Sequence, residues 1–133
     1  MIVHKTNGQN TLKIFQDAVI LGFVVVTVVQ KKDIYIQTSN GIKIKDTYVG
    51  LGIVAAVDSA INQIPIPSDI AFVGEVSLTG EIKKVPNVDR IISDFERMGF
   101  KEIVVPKNNV QKKFSKIKVI EIGNIKEISS IIK

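Results

Sequence analysis

The chain has 133 residues, of which 45% are hydrophobic and 23% are charged, and its formal net charge is +5 with a pI near 9.5. This length predicts one domain with a hydrophobic core, and the composition is typical of a folded globular protein rather than a disordered segment. The absence of cysteine excludes disulfide scaffolds, zinc ribbons and thiol catalysis, and we expect a reducing, cytoplasmic location.

The charge and hydropathy of the chain bear on its partners. The longest apolar stretch, residues 18–29, is shorter than the roughly 20 residues that span a bilayer, so we expect no membrane partner. The positive charge favours an anionic partner such as nucleic acid. The alternative, that the many lysines reflect only the base composition of the source genome, stays open.

The amino-terminal segment predicts a helix and then a hairpin. Asn10 can cap a helix that ends near Gly22. The residues expected on its inner face are Leu12, Ile14, Phe15, Ala18 and Val19. The β-branched run 23–29 and the alternating run 34–37 flank a polar turn, which predicts a β-hairpin.

Residues 42–62 predict a strand followed by the clearest helix. Ile42 and Ile44 alternate with Lys43 and Lys45 after an Asn-Gly turn, which is typical of a short strand with one basic face. From Thr47 the apolar period becomes helical, with Asp46 placed as a cap. The positions at helical spacing are Gly50, Ile53, Val54, Val57, Ala60 and Ile61. Two prolines, at positions 65 and 67, must stop this helix.

Strands and helices alternate through the rest of the chain. Strands are expected at residues 70–73, 103–105 and 117–122. Asn87 can cap a helix that Gly99 terminates, and Asn124 with Glu127 forms a capping-box-like start for a last helix. This alternation predicts an α/β (α+β) layered fold, with a sheet packed against helices.

Most catalytic arrangements are absent from the sequence. The single histidine, His4, lies near the amino terminus, so a Ser-His-Asp triad or a histidine-rich metal site would need residues from elsewhere. Neither a GxxxxGK(S/T) phosphate loop nor a GxGxxG fingerprint occurs, and we expect no ATP hydrolysis, no metal and no cofactor. Glu75 and Glu81 can be read as an acid/base pair or as parts of a glycine-rich turn, and we favour the turn.

Three blocks of sequence carry a family resemblance. They are, in chain order, DIYIQTSNGIKIKDT, PIPSDIAFVGEVSLTGEIKKVPNV and MGFKEIVVPKNN. They resemble the C-terminal Lon-protease-like domain of the RadA (Sms) family of bacterial DNA-repair proteins and, more loosely, the proteolytic domain of Lon proteases. The resemblance is clearest over residues 33–106. It implies a Lon proteolytic-domain-like fold, a mixed sheet packed with helices, for residues 1–133 as a single domain with an abbreviated amino-terminal part.

The resemblance also identifies where a Lon peptidase would carry its catalytic serine and lysine. The serine position falls around residues 48–50, where Thr47 is the only nearby aliphatic hydroxyl and fits a helix-capping role better. The lysine position falls at Asp89 or Arg90, neither of which can act as a neutral amine. The serines elsewhere that match no motif position are Ser59, Ser77 and Ser93. A non-proteolytic domain with no catalytic residues is therefore implied.

The RadA family further implies a role in DNA repair and recombination. Its Lon-like domain serves assembly, so we expect homo-oligomerisation in a ring, a hexamer in that family, with an ATPase domain on another segment. The candidate DNA-binding residues are Lys31, Lys32, Lys43, Lys45, Lys83, Lys84 and Arg90. We favour Lys83 and Lys84, through salt-sensitive phosphate contacts that carry little sequence information.

Three alternatives stay open. Each lysine pair can belong to an ordinary solvated surface. A rearranged Ser-Lys peptidase is the alternative enzyme. A small RNA-binding domain is the third, although two tyrosines and no tryptophan argue against recognition by base stacking.

Overall fold

The computed structural model describes residues 50–62 and 64–132 in full, and residues 2–6, 9–16, 19–29 and 33–38 as strand backbone. These four strands form an antiparallel sheet in sequential order. They are β1 (Ile2–Thr6), β2 (Gln9–Gln16), β3 (Val19–Val29) and β4 (Asp33–Thr38). The predicted hairpin is confirmed, because β3 pairs with β4 from Val29 opposite Asp33 to Val24 opposite Thr38.

The helix predicted between Asn10 and Gly22 is wrong, because β2 and β3 occupy this segment. The sequence signal was ambiguous there, because Leu12 and Phe15 stand three residues apart, a spacing that also fits a helix. The register of the pairing between β2 and β3 shifts between Ile14 and Phe15, with the extra residue in β3.

Helix α1 (Gly50–Asn62) lies at the junction of two sheets, since it contacts β2 and β3 and also the first strand of the second sheet. Leu51, Ala55 and Ala56 are fully buried, as expected for a stripe at helical spacing. The helix ends before Pro65, as predicted. Its predicted start at Thr47 and the expected strand at 42–45 lie outside the described residues.

The carboxyl-terminal half contains a three-stranded parallel sheet with the order β5-β8-β9 and a small hairpin of β6 and β7. The strands are β5 (Ile70–Phe72), β6 (Glu75–Val76), β7 (Ile82–Lys83), β8 (Glu102–Pro106) and β9 (Lys118–Ile122). The helices are α2 (Val88–Arg97) and α3 (Ile128–Ile131), the latter preceded by a 3₁₀ turn at Ile125–Glu127. Strands that pack with helices confirm the α/β prediction.

The parallel sheet separates two hydrophobic clusters, because neighbouring residues of a strand point to opposite faces. Phe72 and Val104 belong to the cluster formed with α1 and α3. Val73, Ile103 and Val105 belong to the cluster formed with α2. Both faces of the sheet are therefore covered, which is typical of parallel sheets. No helix in the described part of the chain is long and apolar enough to cross a membrane.

The predicted helix ends have mixed outcomes. Gly99 has a φ of 88° and follows α2, which confirms it as the left-handed terminator. Asn124 also caps as predicted, since its side chain accepts a hydrogen bond from the Lys126 N–H. The side-chain cap predicted at Asn87 is wrong. Its backbone is left-handed (φ 57°, ψ 34°) instead of extended, and its side chain makes no capping hydrogen bond.

Candidate nucleic-acid interface

The first turn of α1 is the region to which the resemblance assigns a Lon serine. Thr47 and Tyr48 lie outside the described residues. The Leu51 N–H donates to the Gly74 carbonyl at 3.0 Å, and a Cβ added to Gly50 would stand 3.5 Å from the Val76 nitrogen. The helix start is therefore packed directly against the beginning of the GEVSLTGEI block.

The first turn of α2 is the region to which the resemblance assigns the lysine. Asp89 occupies it, where a carboxylate interacts favourably with the positive end of the helix dipole. One of its oxygens accepts the Gln111 N–H at 3.1 Å. Arg90 is exposed on the same turn. This position therefore holds a carboxylate that fixes a neighbouring loop, and no amine.

The hydroxyls of the three serines that match no motif position form hydrogen bonds with nearby residues. Ser59 is fully buried and donates to the Ile64 carbonyl, which closes the end of α1. Ser93 donates to the Asp89 carbonyl one helical turn before it, at 3.0 Å. Ser77 lies 3.0 Å from the Thr79 hydroxyl and accepts the Glu81 N–H at 3.1 Å. None of these three hydroxyls has a lysine as its hydrogen-bond partner among the described residues.

Glu75 and Glu81 lie on the β6-β7 hairpin. Glu75 stands directly opposite Lys83 in the pairing, and Glu81 forms an isolated bridge with Asn124. The turn between them is closed by Ser77 N–H to Glu81 carbonyl at 2.9 Å, and it needs Gly80 at a φ of 89°. In the described parts of the chain, no group of three or more His, Asp or Glu residues is placed to bind a metal ion.

Of the seven candidate DNA-contacting residues, three are described. Lys83, Lys84 and Arg90 are all exposed. Arg90 lines a cleft of about 480 Å³. Its lining residues are Val85, Pro86, Asn87, Val88, Asp89, Arg90, Asn109, Gln111 and Lys112. The segment that begins directly after Lys84 thus forms one wall, and the loop after β8 forms another. The other four candidates, Lys31, Lys32, Lys43 and Lys45, lie outside the described residues.

Comparison with known proteins identifies the family. A family model described as the Lon protease (S16) C-terminal proteolytic domain matches residues 16–132. The chain belongs to this family. This Lon-type domain is also similar to proteins named DNA repair protein RadA, which confirms the resemblance found in the sequence.

Three such relatives illustrate the extent of that similarity. RadA of Listeria monocytogenes serovar 1/2a is 35% identical over 80 residues, which is 60% of this chain and 18% of that protein. RadA of Escherichia coli strain K12 is 35% identical over 82 residues, and RadA of Streptococcus pyogenes serotype M1 is 32% identical over 82 residues. Each of these last two matches covers 62% of the chain and 18% of the relative. The Lon-type domain thus matches less than one fifth of the length of these relatives.

Sequence reasoning missed one exposed cation that the fold of the Lon-type domain brings near Arg90, and three further exposed lysines in the same loop. Lys112 lines the same cleft as Arg90, although it lies 22 residues further along the chain. Lys107, Lys113 and Lys116 are exposed in the same loop as Lys112. The sequence signal that could have identified these lysines is the run KNNVQKKFSKIK, which contains five lysines and no acidic residue.

Proposed function

We propose that this Lon-type domain is a non-proteolytic module of a RadA-type DNA-repair protein, which contacts DNA phosphates and assembles with copies of itself. The observation that carries the non-proteolytic part of the proposal is the hydrogen bond from Gln111 N–H to the Asp89 carboxylate at 3.1 Å. A carboxylate held in this way stands in the first turn of α2, where the family resemblance requires a lysine amine.

The chemistry of a Ser-Lys dyad explains why this observation argues against proteolysis. The lysine must be neutral so that its amine can take the serine proton. Asp89 offers only an acceptor, and Arg90 beside it stays protonated. We expect no cleavage of an unfolded protein substrate such as reduced, alkylated casein. Cleavage that disappears when a single serine is replaced by alanine would show instead that the domain is an active peptidase.

Exposed cations support the DNA-contact part of the proposal. Lys83 is the last residue of the β6-β7 hairpin, and Lys84 leads directly into the cleft that Arg90 and Lys112 line. The phenylalanines of the described residues are buried or half-buried, so they offer no exposed ring on which a base could stack. This favours contacts with the phosphate backbone over the recognition of unpaired RNA bases.

A binding titration tests the proposed contact with DNA phosphates. A fluorescein-labelled 30-base-pair DNA duplex is titrated with the 133-residue chain at 50, 100 and 200 mM salt. Each lysine that neutralises a phosphate contributes about 0.9 to the slope of log K against log salt. K83Q/K84Q should therefore lower the magnitude of the slope by about 1.8. A wild-type chain that does not bind the duplex at 50 mM salt would contradict the proposal.

The matched control removes two lysines that have acidic partners. Lys101 pairs with Asp69 at 3.8 Å and Lys118 pairs with Glu102 at 3.9 Å, at the amino ends of β8 and β9. K101Q/K118Q changes the net charge by the same two units as K83Q/K84Q. It should leave the salt slope within error of the wild type. An equal effect of both variants would mean that only net charge matters.

The assembly part is supported by Leu78 at the tip of the β6-β7 hairpin, which is fully exposed. The four-residue turn is held by hydrogen bonds from Ser77 N–H and Gly80 N–H and between two hydroxyls, so the leucine stands on an ordered support. Light scattering at several protein concentrations tests assembly directly. A strict monomer up to 200 μM would contradict this part of the proposal.

A further inference from the structure

The connection between β8 and β9, residues 107–117, is unusual for two neighbouring parallel strands. Such strands are most often joined by a helix. Here the chain returns from Pro106 to Lys118 without one, and we refer to residues 107–117 as the crossover loop. Its exposed basic residues are Lys107, Lys112, Lys113 and Lys116. It contains no acidic residue.

The crossover loop is held to the rest of the domain at several points along its length. The Lys107 N–H donates to the Ile122 carbonyl at 2.9 Å. The Asn109 side chain accepts the Val85 N–H at 2.7 Å and donates to the Val85 carbonyl at 3.2 Å. Val110 and Phe114 pack against the cluster beneath α2. The loop is therefore ordered by contacts other than those of its lysines.

Three carboxylates accept hydrogen bonds from backbone N–H groups of the crossover loop. Asp89 accepts the Gln111 N–H, and Glu121 accepts the Asn108 N–H at 3.2 Å. Glu96, two turns after Asp89 on α2, accepts the N–H groups of residues 116 and 117 at 3.1 and 3.2 Å. Three acidic side chains thus hold the backbone of the crossover loop in place, and none of them forms an ion pair with a lysine of the loop in the described part of the chain.

The four lysines of the crossover loop form no ion pair with any described residue, in contrast to Lys101 and Lys118. Such an ammonium group is available to neutralise a phosphate, and this releases cations that are condensed on the DNA. Because the backbone beneath is already fixed, binding costs little ordering of the loop itself.

We propose that the crossover loop is a preordered surface for the phosphate backbone of duplex DNA. This inference rests on the proposed function and adds Lys107, Lys112, Lys113 and Lys116 to the interface. The two hydrogen bonds between Asn109 and Val85 join the loop to the segment that follows Lys84, and Lys112 lines the same cleft as that segment. Its contacts are with phosphates, and duplexes of different sequence bind equally well.

The test compares K112Q/K113Q with K83Q/K84Q and with the control K101Q/K118Q in the same duplex titration. Two lost phosphate contacts lower the magnitude of the salt slope by about 1.8. When salt rises from 50 to 200 mM, the affinity of the wild type therefore falls by a factor about 12 times larger than the factor for K112Q/K113Q. At 50 mM salt it binds at least 10-fold more weakly. All substituted side chains are exposed, and circular dichroism verifies that each variant is folded.

A second variant distinguishes the effect of loop order on DNA binding from the effect of net charge. Glu96→Ala removes a negative charge, so long-range electrostatics alone predicts tighter DNA binding. Loss of the two backbone hydrogen bonds instead frees one end of the crossover loop, and we expect binding weaker by about 2-fold to 10-fold. Tighter binding by this variant would overturn the claim that the surface is preordered.

The outcomes distinguish this inference from the proposed function. If the wild type binds duplex DNA, K83Q/K84Q weakens binding and K112Q/K113Q behaves like the control, the crossover loop is excluded and the proposed function stands. If the wild type does not bind duplex DNA at 50 mM salt, both fail together. Weakening by K112Q/K113Q but not by the control supports the crossover loop.

Discussion

Replacement of Asn109 with alanine removes the side chain that joins the crossover loop to the segment after β7. Its amide makes both hydrogen bonds of the Val85 backbone group, and Val85 is only 4% exposed. Each buried polar group left without a partner costs about 1–3 kcal/mol. Because Asn109 is itself half-buried and water can enter its place, we expect values near the lower end, about 2–3 kcal/mol in total.

Urea unfolding followed by circular dichroism measures this loss. With an m value of about 2 kcal/mol/M, the midpoint of Asn109→Ala should fall by about 1–1.5 M. The control is Asn62→Ala, which removes an exposed hydrogen bond to the Asp58 carbonyl and should change the stability by less than about 0.5 kcal/mol. Equal midpoints for the two variants would refute the reasoning, because burial would then make no difference.

Four further substitutions give distinct results. Ser59→Ala removes the buried hydroxyl–carbonyl hydrogen bond at the end of α1 and should cost about 1–3 kcal/mol in the same unfolding assay, whereas an unchanged midpoint would contradict it. Gly80→Ala should destabilise more than Gly99→Ala. Both glycines have a φ near 89°, but the new Cβ at Gly80 meets Ile125 at 3.1 Å and that at Gly99 meets nothing within 4 Å. We expect about 1–2 kcal/mol from backbone strain at either site and a further loss only at Gly80, so equal losses would rule out the contact. Leu78→Ser should shift light-scattering masses toward the monomer with less than about 0.5 kcal/mol change in stability, and an unchanged mass distribution would exclude the hairpin tip from assembly.

The sequence was sufficient for the fold of the carboxyl-terminal half because several independent signals agree there. Strand β5 is apolar and follows two prolines, and α2 has a regular apolar face and a terminating Gly99. The prediction for the amino-terminal half failed where one sequence signal was ambiguous. The spacing of the apolar residues in β2 also fits a helix, and no Asn-Gly or Asp-Gly pair marks the connection between β2 and β3.

The candidate interface was harder to predict, because it depends on residues distant in the sequence. Lys83 and Lys84 were found through their position in a recognised block. Lys112 could not be connected with Arg90 until the crossover loop was placed against α2. The hydrogen bonds by which Asp89 and Glu96 hold backbone N–H groups of the crossover loop are also not evident from the sequence.

The β6-β7 hairpin has a consequence for the order of folding. The Gly80 carbonyl accepts the Ile125 N–H at 2.9 Å, and the Ile82 N–H donates to the Gly123 carbonyl at 3.0 Å. These contacts close loops of about 40 residues, which is slow and entropically costly compared with the formation of a local hairpin. During synthesis, the hairpin therefore cannot acquire its final hydrogen bonds until residue 125 has left the ribosome, although the bonds within its own turn can form earlier.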